Sequence, residues 1–182
     1  QQPDIFPIGE KANNLVIAFS DTGFRSPFSV LATDAIVELH LCASTDGFQC
    51  LPLYRYDDLG NRVDNITDWA LRQFQQQYAA SGVGVGPRAH PNAHPKGQTR
   101  GSAPTGDEIT KTDIFHYVYA VLHHPAYREK YKLNLKREFP RIPFYNDFWQ
   151  WATWGQQLMQ LHLNYETIEP YSLQRDDKDP ET

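Results

Sequence analysis

The stretch Thr112-Asp113-Ile114-Phe115-His116-Tyr117-Val118-Tyr119-Ala120-Val121-Leu122-His123-His124-Pro125 decides how this chain is read. Ile114, Phe115, Val118, Val121 and Leu122 fall at i, i+1, i+4, i+7 and i+8, which places them on one side of an α-helix. Thr110 or Thr112 offers an N-cap, and the run stops at His123-His124-Pro125. Pro125 suits the first turn of a following helix, where its missing N–H has no partner to lose. In that helix Tyr127, Tyr131 and Leu135 repeat at i, i+4 and i+8. It is expected to end at Phe139, because Pro140 disfavours helix for the residue before it. A third helix is expected from an Asn146 cap. It carries Phe148, Trp151, Ala152, Gly155, Leu158, Met159 and His162 at helical spacing, with Trp149 and Trp154 widening the stripe.

Upstream the pattern breaks. Gly82, Gly84, Gly86, Pro87, Pro91 and Pro95 open a Gly/Pro-rich run that lasts to Gly106 and reads as a long loop. Before it, Asn65-Ile66-Thr67-Asp68-Trp69 offers capping chemistry for a helix that runs through Phe74 to Tyr78. Earlier still, the apolar runs Leu15 to Phe19, Phe28 to Ala32, Ile36 to Leu41 and Phe48 to Tyr56 read as short strands. Pro52 either demotes the last to a sheet edge or splits it. The expected fold class is α+β, a small N-terminal β-sheet packed on a C-terminal bundle of three to four helices. One domain is expected overall: a β-rich part over 1–64, a helix over 65–79, a basic loop over 80–108, a helical part over 109–166 and an acidic tail over 167–182.

Composition narrows the function classes. The chain has 182 residues, 40% of them apolar and 13% aromatic, and a formal charge of -5. That length suits one core and is short for an enzyme of several activities. The negative balance argues against a generically basic nucleic-acid coat, but it is an average. Residues 125–145 hold six basic and two acidic side chains, and residues 80–106 hold no acid at all. No window reaches 18 apolar residues, and the start Gln1-Gln2-Pro3-Asp4 resembles neither a signal peptide nor an initiator, so a cytoplasmic fragment of a longer chain is expected, with no membrane partner. Cys42 and Cys50 read as two small buried thiols, with one disulfide left open.

The basic segment is the first candidate for chemistry. Arg128, Lys132 and Lys136 repeat at i, i+4 and i+8 beside the tyrosine stripe, with Lys130 and Arg137 on the other flank and Arg141 just beyond. Such a ridge can track a phosphate backbone, or it can be a solvated flank whose stems cover the apolar seam. The loop, with Arg88, Lys96, Arg100, His90 and His94, is a second cationic element. His90 and His94 have a metal-like spacing, but Pro91 and Pro95 exclude a regular helix there and no further ligands complete a set, so no metal is expected. No phosphate loop, nucleophile elbow, zinc-protease motif or amino-methyltransferase Pro-Pro-Tyr motif is found. A free-standing hydrolase is therefore disfavoured, and no catalytic residue is assigned.

The residues also carry a family resemblance. Ile109-Thr110-Lys111-Thr112-Asp113-Ile114-Phe115-His116-Tyr117-Val118-Tyr119, continuing through His123-His124-Pro125-Ala126-Tyr127-Arg128-Glu129-Lys130-Tyr131 and then Leu135-Lys136-Arg137-Glu138-Phe139-Pro140-Arg141-Ile142-Pro143-Phe144, closely resembles the C-terminal specificity domain of type ISP restriction-modification enzymes. Leu51-Pro52-Leu53-Tyr54, Asn65-Ile66-Thr67-Asp68-Trp69-Ala70-Leu71 and Leu161-His162-Leu163-Asn164-Tyr165-Glu166 extend the resemblance in the same order. The family joins the helix near Tyr78 to the Ile109 motif by a brief connection, whereas residues 80 to 106 intervene here.

The resemblance implies a division of labour. In that family one polypeptide joins a nuclease, an ATP-driven helicase-like translocase, an adenine N6-methyltransferase and, last, a target recognition domain. This chain is similar to that last piece. It implies double-stranded DNA as partner, along with the methyltransferase and helicase-like domains of the same polypeptide. It implies no cofactor for this segment, with S-adenosylmethionine, ATP and Mg belonging to the other domains. Since enzymes of different specificity share the 109–144 motif, base readers are expected elsewhere. The candidates are Arg25, Gln49, Arg88, Asn92, Gln98 and Arg100, because Arg pairs with guanine and Asn or Gln with adenine. The candidate phosphate contacts are Arg128, Lys130, Lys132, Lys136, Arg137 and Arg141. The alternative is a structural module that docks the methyltransferase on the translocase through its aromatic helices. Its sign would be an exposed apolar patch over Trp149, Trp151 and Trp154 with no positive cleft nearby.

Overall fold

A computed structural model describes residue 5 and residues 14–37, 47–80 and 108–169. A three-stranded antiparallel sheet is built from β1 (Val16–Ser20), β2 (Val30–Thr33) and β3 (Phe48–Pro52) in the order β2-β1-β3. The central strand is buried at all five positions, and its two faces meet different neighbours. Ile17 and Phe19 enter the main core, whereas Val16 and Ala18 join Val37 in a smaller cluster on the opposite face. That division follows from the two-residue period of a strand.

Pro52 acts as its chemistry demands. It ends β3, which is an edge strand, and the chain resumes as β4 (Tyr54–Tyr56), paired with β5 (Arg62–Asp64) in a separate hairpin. Buried Asn14 ties the two sheets. Its side-chain amide donates to the carbonyls of Ile5 and Tyr54, and its oxygen accepts from the N–H groups of Leu15 and Tyr54. The strand expected over Ile36 to Leu41 is absent in its described part, where residues 34–37 turn and place Val37 against β1.

Among the described residues five helices follow: α1 (Asp68–Ala80), α2 (Lys111–His123), α3 (Pro125–Lys130), α4 (Lys132–Leu135) and α5 (Phe148–Leu163). Thr110 begins α2 with a complete capping box, its hydroxyl accepting from the Asp113 N–H and the Asp113 carboxylate accepting from the Thr110 N–H. Helix α2 is the pillar of the domain, with nine of its residues buried, and it packs most extensively against α5, which in turn meets β2. Gly155 on α5 permits the close crossing, because a Cβ there would overlap the carbonyl of His116. Phe74, Tyr78, Tyr117 and Phe148 pack edge-on or stacked around this crossing.

Two helix boundaries differ from expectation. The helix after Pro125 does not run to Phe139. It breaks at Tyr131, whose backbone leaves the helical region (φ -105, ψ 16), and ends at Leu135, where the Asn134 carbonyl accepts from both Arg137 and Glu138. The cap of α5 is Asp147, one residue beyond Asn146. Asp147 sits at φ 58, a left-handed conformation that a short polar side chain tolerates, and its carboxylate accepts from the Gln150 N–H. The architecture is otherwise the expected α+β, with the helical half cut into more segments.

Candidate nucleic-acid interface

Between β1 and β2 the chain turns through Gly23, Phe24, Arg25 and Pro27, and this turn lies against α3 and α4. The Gly23 N–H donates to the carbonyl of Lys136 at 2.7 Å. A groove of about 400 Å³ opens along the joint. Its apolar wall is formed by Phe24, Pro27, Phe28, Pro125 and Leu135, and its charged groups are Arg25, Arg128, Lys132, Lys136 and Glu129. Four cations therefore meet one anion. Although the helix breaks at Tyr131, Arg128, Lys132 and Lys136 all line the same groove.

These cations are not equivalent. Arg128 is half-buried, and its Nε donates to the carbonyl of Leu122 at 2.7 Å, so it satisfies one of the carbonyls left open at the end of α2. Burial pulls its guanidinium below the ordinary value, and its fork stands 5.7 Å from the centre of the Phe28 ring. It is a helix cap as well as a groove residue. The Lys136 ammonium stands 5.8 Å from the Phe24 ring, with its backbone fixed by Gly23. Lys132 is exposed and only loosely paired with Glu129, at 3.9 Å. Arg25 is exposed on the facing turn.

The remaining candidates are dispersed. Arg141 is exposed and paired with Glu138 at 3.0 Å, and both line a second, smaller cavity with Tyr127 and Tyr131. Lys130 and Arg137 are exposed and line neither space. Gln49 sits half-buried on β3, where its side-chain amide hydrogen-bonds the carboxylate of Asp21 and holds that acid below the usual carboxylate range. Arg88, Asn92, Gln98 and Arg100 lie outside the described residues, as does most of the expected loop. Cys50 is half-buried on β3, and Cys42 also lies outside the described residues.

The aromatic helix behaves differently from an exposed docking patch. Trp151 stacks on Tyr145 with ring centres 4.5 Å apart, and both it and Trp149 are half-buried. Trp154 alone of the three is exposed, at 47%. With Trp149 and Trp151 half-buried, these three residues do not form the exposed apolar patch that would favour a purely structural module. Sequence reasoning missed Phe24, Phe28 and Glu129 as parts of this site. The apolar residues carried no distinguishing pattern, and Glu129 was averaged into a basic segment.

Comparison with known proteins places these features in a family. The model described as the Type ISP C-terminal specificity domain matches residues 1–182. No curated protein sequence matches. Among solved structures, a cryo-electron-microscopy DrdV–DNA complex is similar with 47% identity and a TM-score of 0.74, covering 100% of this chain and 15% of that one. A nuclease-deletion mutant of the Type ISP restriction-modification enzyme LlaGI, in complex with a DNA substrate mimic, is similar with 26% identity and a TM-score of 0.63, covering 94% of this chain and 12% of that one. The ATP-dependent Type ISP enzyme LlaBIII bound to DNA is similar with 26% identity and a TM-score of 0.65, covering 93% and 9%. The chain thus spans no more than 15% of the length of these structures.

Proposed function

This chain belongs to the Type ISP C-terminal specificity domain family, and from that premise we propose that it recognises the DNA target sequence for a larger restriction-modification polypeptide. In this reading the domain holds double-stranded DNA for an adenine N6-methyltransferase and an ATP-dependent translocase and nuclease elsewhere in the same chain. Those parts would use S-adenosylmethionine, ATP and Mg. The likeness to three proteins whose structures include DNA or a DNA mimic supports the reading. The observation that carries it is the groove in which the β1–β2 turn and the α3–α4 segment converge four cations on one concave surface.

Charge sign explains how a domain of net charge -5 serves this purpose. Attraction to phosphates acts over roughly 8–10 Å at physiological salt, so the local excess around the groove governs contact, not the sum over the molecule. The acidic remainder disfavours DNA on the other faces and so selects one orientation. Recognition of sequence then falls to side chains that reach base edges, for which Arg25, Gln49, Arg88, Asn92, Gln98 and Arg100 are the candidates.

A domain exchange tests the assignment. In the full-length polypeptide, residues 1–182 are replaced by the matching segment of a relative, and bound sequences are selected from a randomised DNA pool. The expected outcome is that the selected sequence becomes that of the relative. Retention of the original sequence would assign target recognition to another part of the polypeptide.

A further inference from the structure

The groove is more than a basic surface, because its cations surround an apolar wall. Phe28 is half-buried and Pro27 and Pro125 are exposed, so this wall stays accessible while Phe24 and Leu135 back it. A solvated flank would need no such wall. A protein carboxylate would be satisfied by the cations alone, and the flat edge of a base pair matches neither the concavity nor two ammonium groups, which lack a directional fork. One unit of a DNA backbone fits both halves, since deoxyribose offers an apolar edge and its phosphate a full charge.

We propose that this groove seats a single deoxyribose-phosphate unit, with the sugar against Phe28, Pro27 and Pro125 and the phosphate held between Arg25, Lys132 and Lys136. The assignment deepens, and rests on, the reading of the domain as a DNA target recognition unit. It also moves Arg25 from the base readers to the backbone contacts. Arg25 belongs to the turn and Lys136 to the end of α4, and the Gly23–Lys136 hydrogen bond fixes these elements in register. The clamp is therefore built before DNA arrives. Lys132, paired loosely with Glu129, exchanges a carboxylate for a phosphate when DNA binds.

The test uses the full-length polypeptide, its Arg25→Ala and Lys136→Ala variants, and duplexes carrying a neutral methylphosphonate at one backbone position at a time. Affinity for cognate and scrambled duplexes is measured across salt concentrations. Each variant is expected to weaken both duplexes by the same factor, on the order of tenfold, and to reduce the salt slope by about 1. At one methylphosphonate position the effect of both variants should vanish, because the charge they hold is already gone.

Selective loss of the cognate duplex in Arg25→Ala would return that residue to base readout. Variant effects that persist at every methylphosphonate position would mean diffuse attraction and overturn the seat. Unchanged affinity in both variants would also overturn it, while leaving the domain-exchange result standing. Lys136→Arg, which keeps the charge, should restore most of the affinity; failure of that rescue alongside normal folding of the variant would also count against the phosphate contact.

Discussion

The backbone N–H of Gly23 donates to the carbonyl of Lys136, and this one bond joins the turn of the sheet to the end of the basic helix. Gly23 sits at φ +80, where L side chains are strained, yet no atom lies within 4 Å of where a Cβ would stand. Gly23→Ala therefore strains the backbone without a clash, at a cost of about 1 kcal/mol. The expected result is a melting temperature lower by roughly 2–4 °C. Cognate and scrambled DNA should both bind more weakly, because relaxation of the turn shifts Arg25 relative to Lys136. Thermal unfolding and duplex binding, measured on the same variant, check both halves. A variant that loses stability but binds DNA unchanged would show that the clip does not set the groove.

Among the described residues Glu129 is the one acid on the groove, and its exposed pairing with Lys132 is weak. Glu129→Gln removes a charge that repels phosphate and releases Lys132. Binding to any duplex should strengthen by about two- to tenfold at low salt, converge with the wild type at high salt, and leave stability within about 0.5 kcal/mol. Titration of both proteins with one scrambled duplex at two salt concentrations measures this. A gain restricted to the cognate duplex would instead give Glu129 a part in reading sequence.

What could be read from the sequence was what depends on near neighbours along the chain. A threonine cap for α2, offered at Thr110 or Thr112 and taken by Thr110, the Pro125 start of α3 and the division at Pro52 each follow from residues within about one turn along the chain. The break at Tyr131 and the left-handed cap at Asp147 do not, because nothing in the sequence marks a break at 131 and Asn146 and Asp147 offer the same capping chemistry. The same holds for the site. The spacing of Arg128, Lys132 and Lys136 marked a ridge, but nothing local showed that Arg25 faces it, since that depends on the distant contact with Gly23. Arg128 could have been anticipated as a cap of α2, because basic side chains near a helix end commonly engage the last carbonyls.

His123 supplies a prediction about acid. Burial lowers its pKa below the ordinary 6.5, with the positive charge of Arg128 acting in the same direction, while its Nδ1–H donates to the carbonyl of Tyr119. A base whose pKa is depressed by folding favours the fold when neutral. Its contribution is thus fully present above 6.5 and is lost as pH falls from there through the lowered value in the fold. The denaturation midpoint of the wild type should drop between about pH 7.5 and pH 5.5, and the drop should be smaller in His123→Gln, whose amide can still donate to Tyr119. Equal drops in the two proteins would place the acid sensitivity elsewhere.

Three tyrosine hydroxyls hold the irregular chain between α4 and α5, and removing one of them is the sharpest test of how this segment is fixed. Tyr127 donates to the carbonyl of Arg141 at 3.1 Å, Tyr117 donates to that of Pro143 at 2.8 Å, and Tyr78 donates to that of Tyr145 at 2.6 Å. Tyr117 also accepts from the Tyr145 N–H at 2.7 Å. Burial raises the pKa of all three hydroxyls, Tyr127 to about 12, so they remain protonated donors at neutral pH. Tyr117→Phe keeps the ring stacked on Phe148 but strips a partner from the Pro143 carbonyl and another from the Tyr145 N–H. Leaving such groups unsatisfied costs roughly 1–3 kcal/mol each, though water reaching a partly buried segment offsets part of it. Tyr127→Phe removes one partner only, so it should destabilise less. Denaturation midpoints that rank wild type, Tyr127→Phe and Tyr117→Phe in descending order fit this account. If Tyr117→Phe is as stable as the wild type, the segment is fixed by the packing of Phe144 and Tyr145 against Phe74 and Trp151, and the hydroxyls are dispensable.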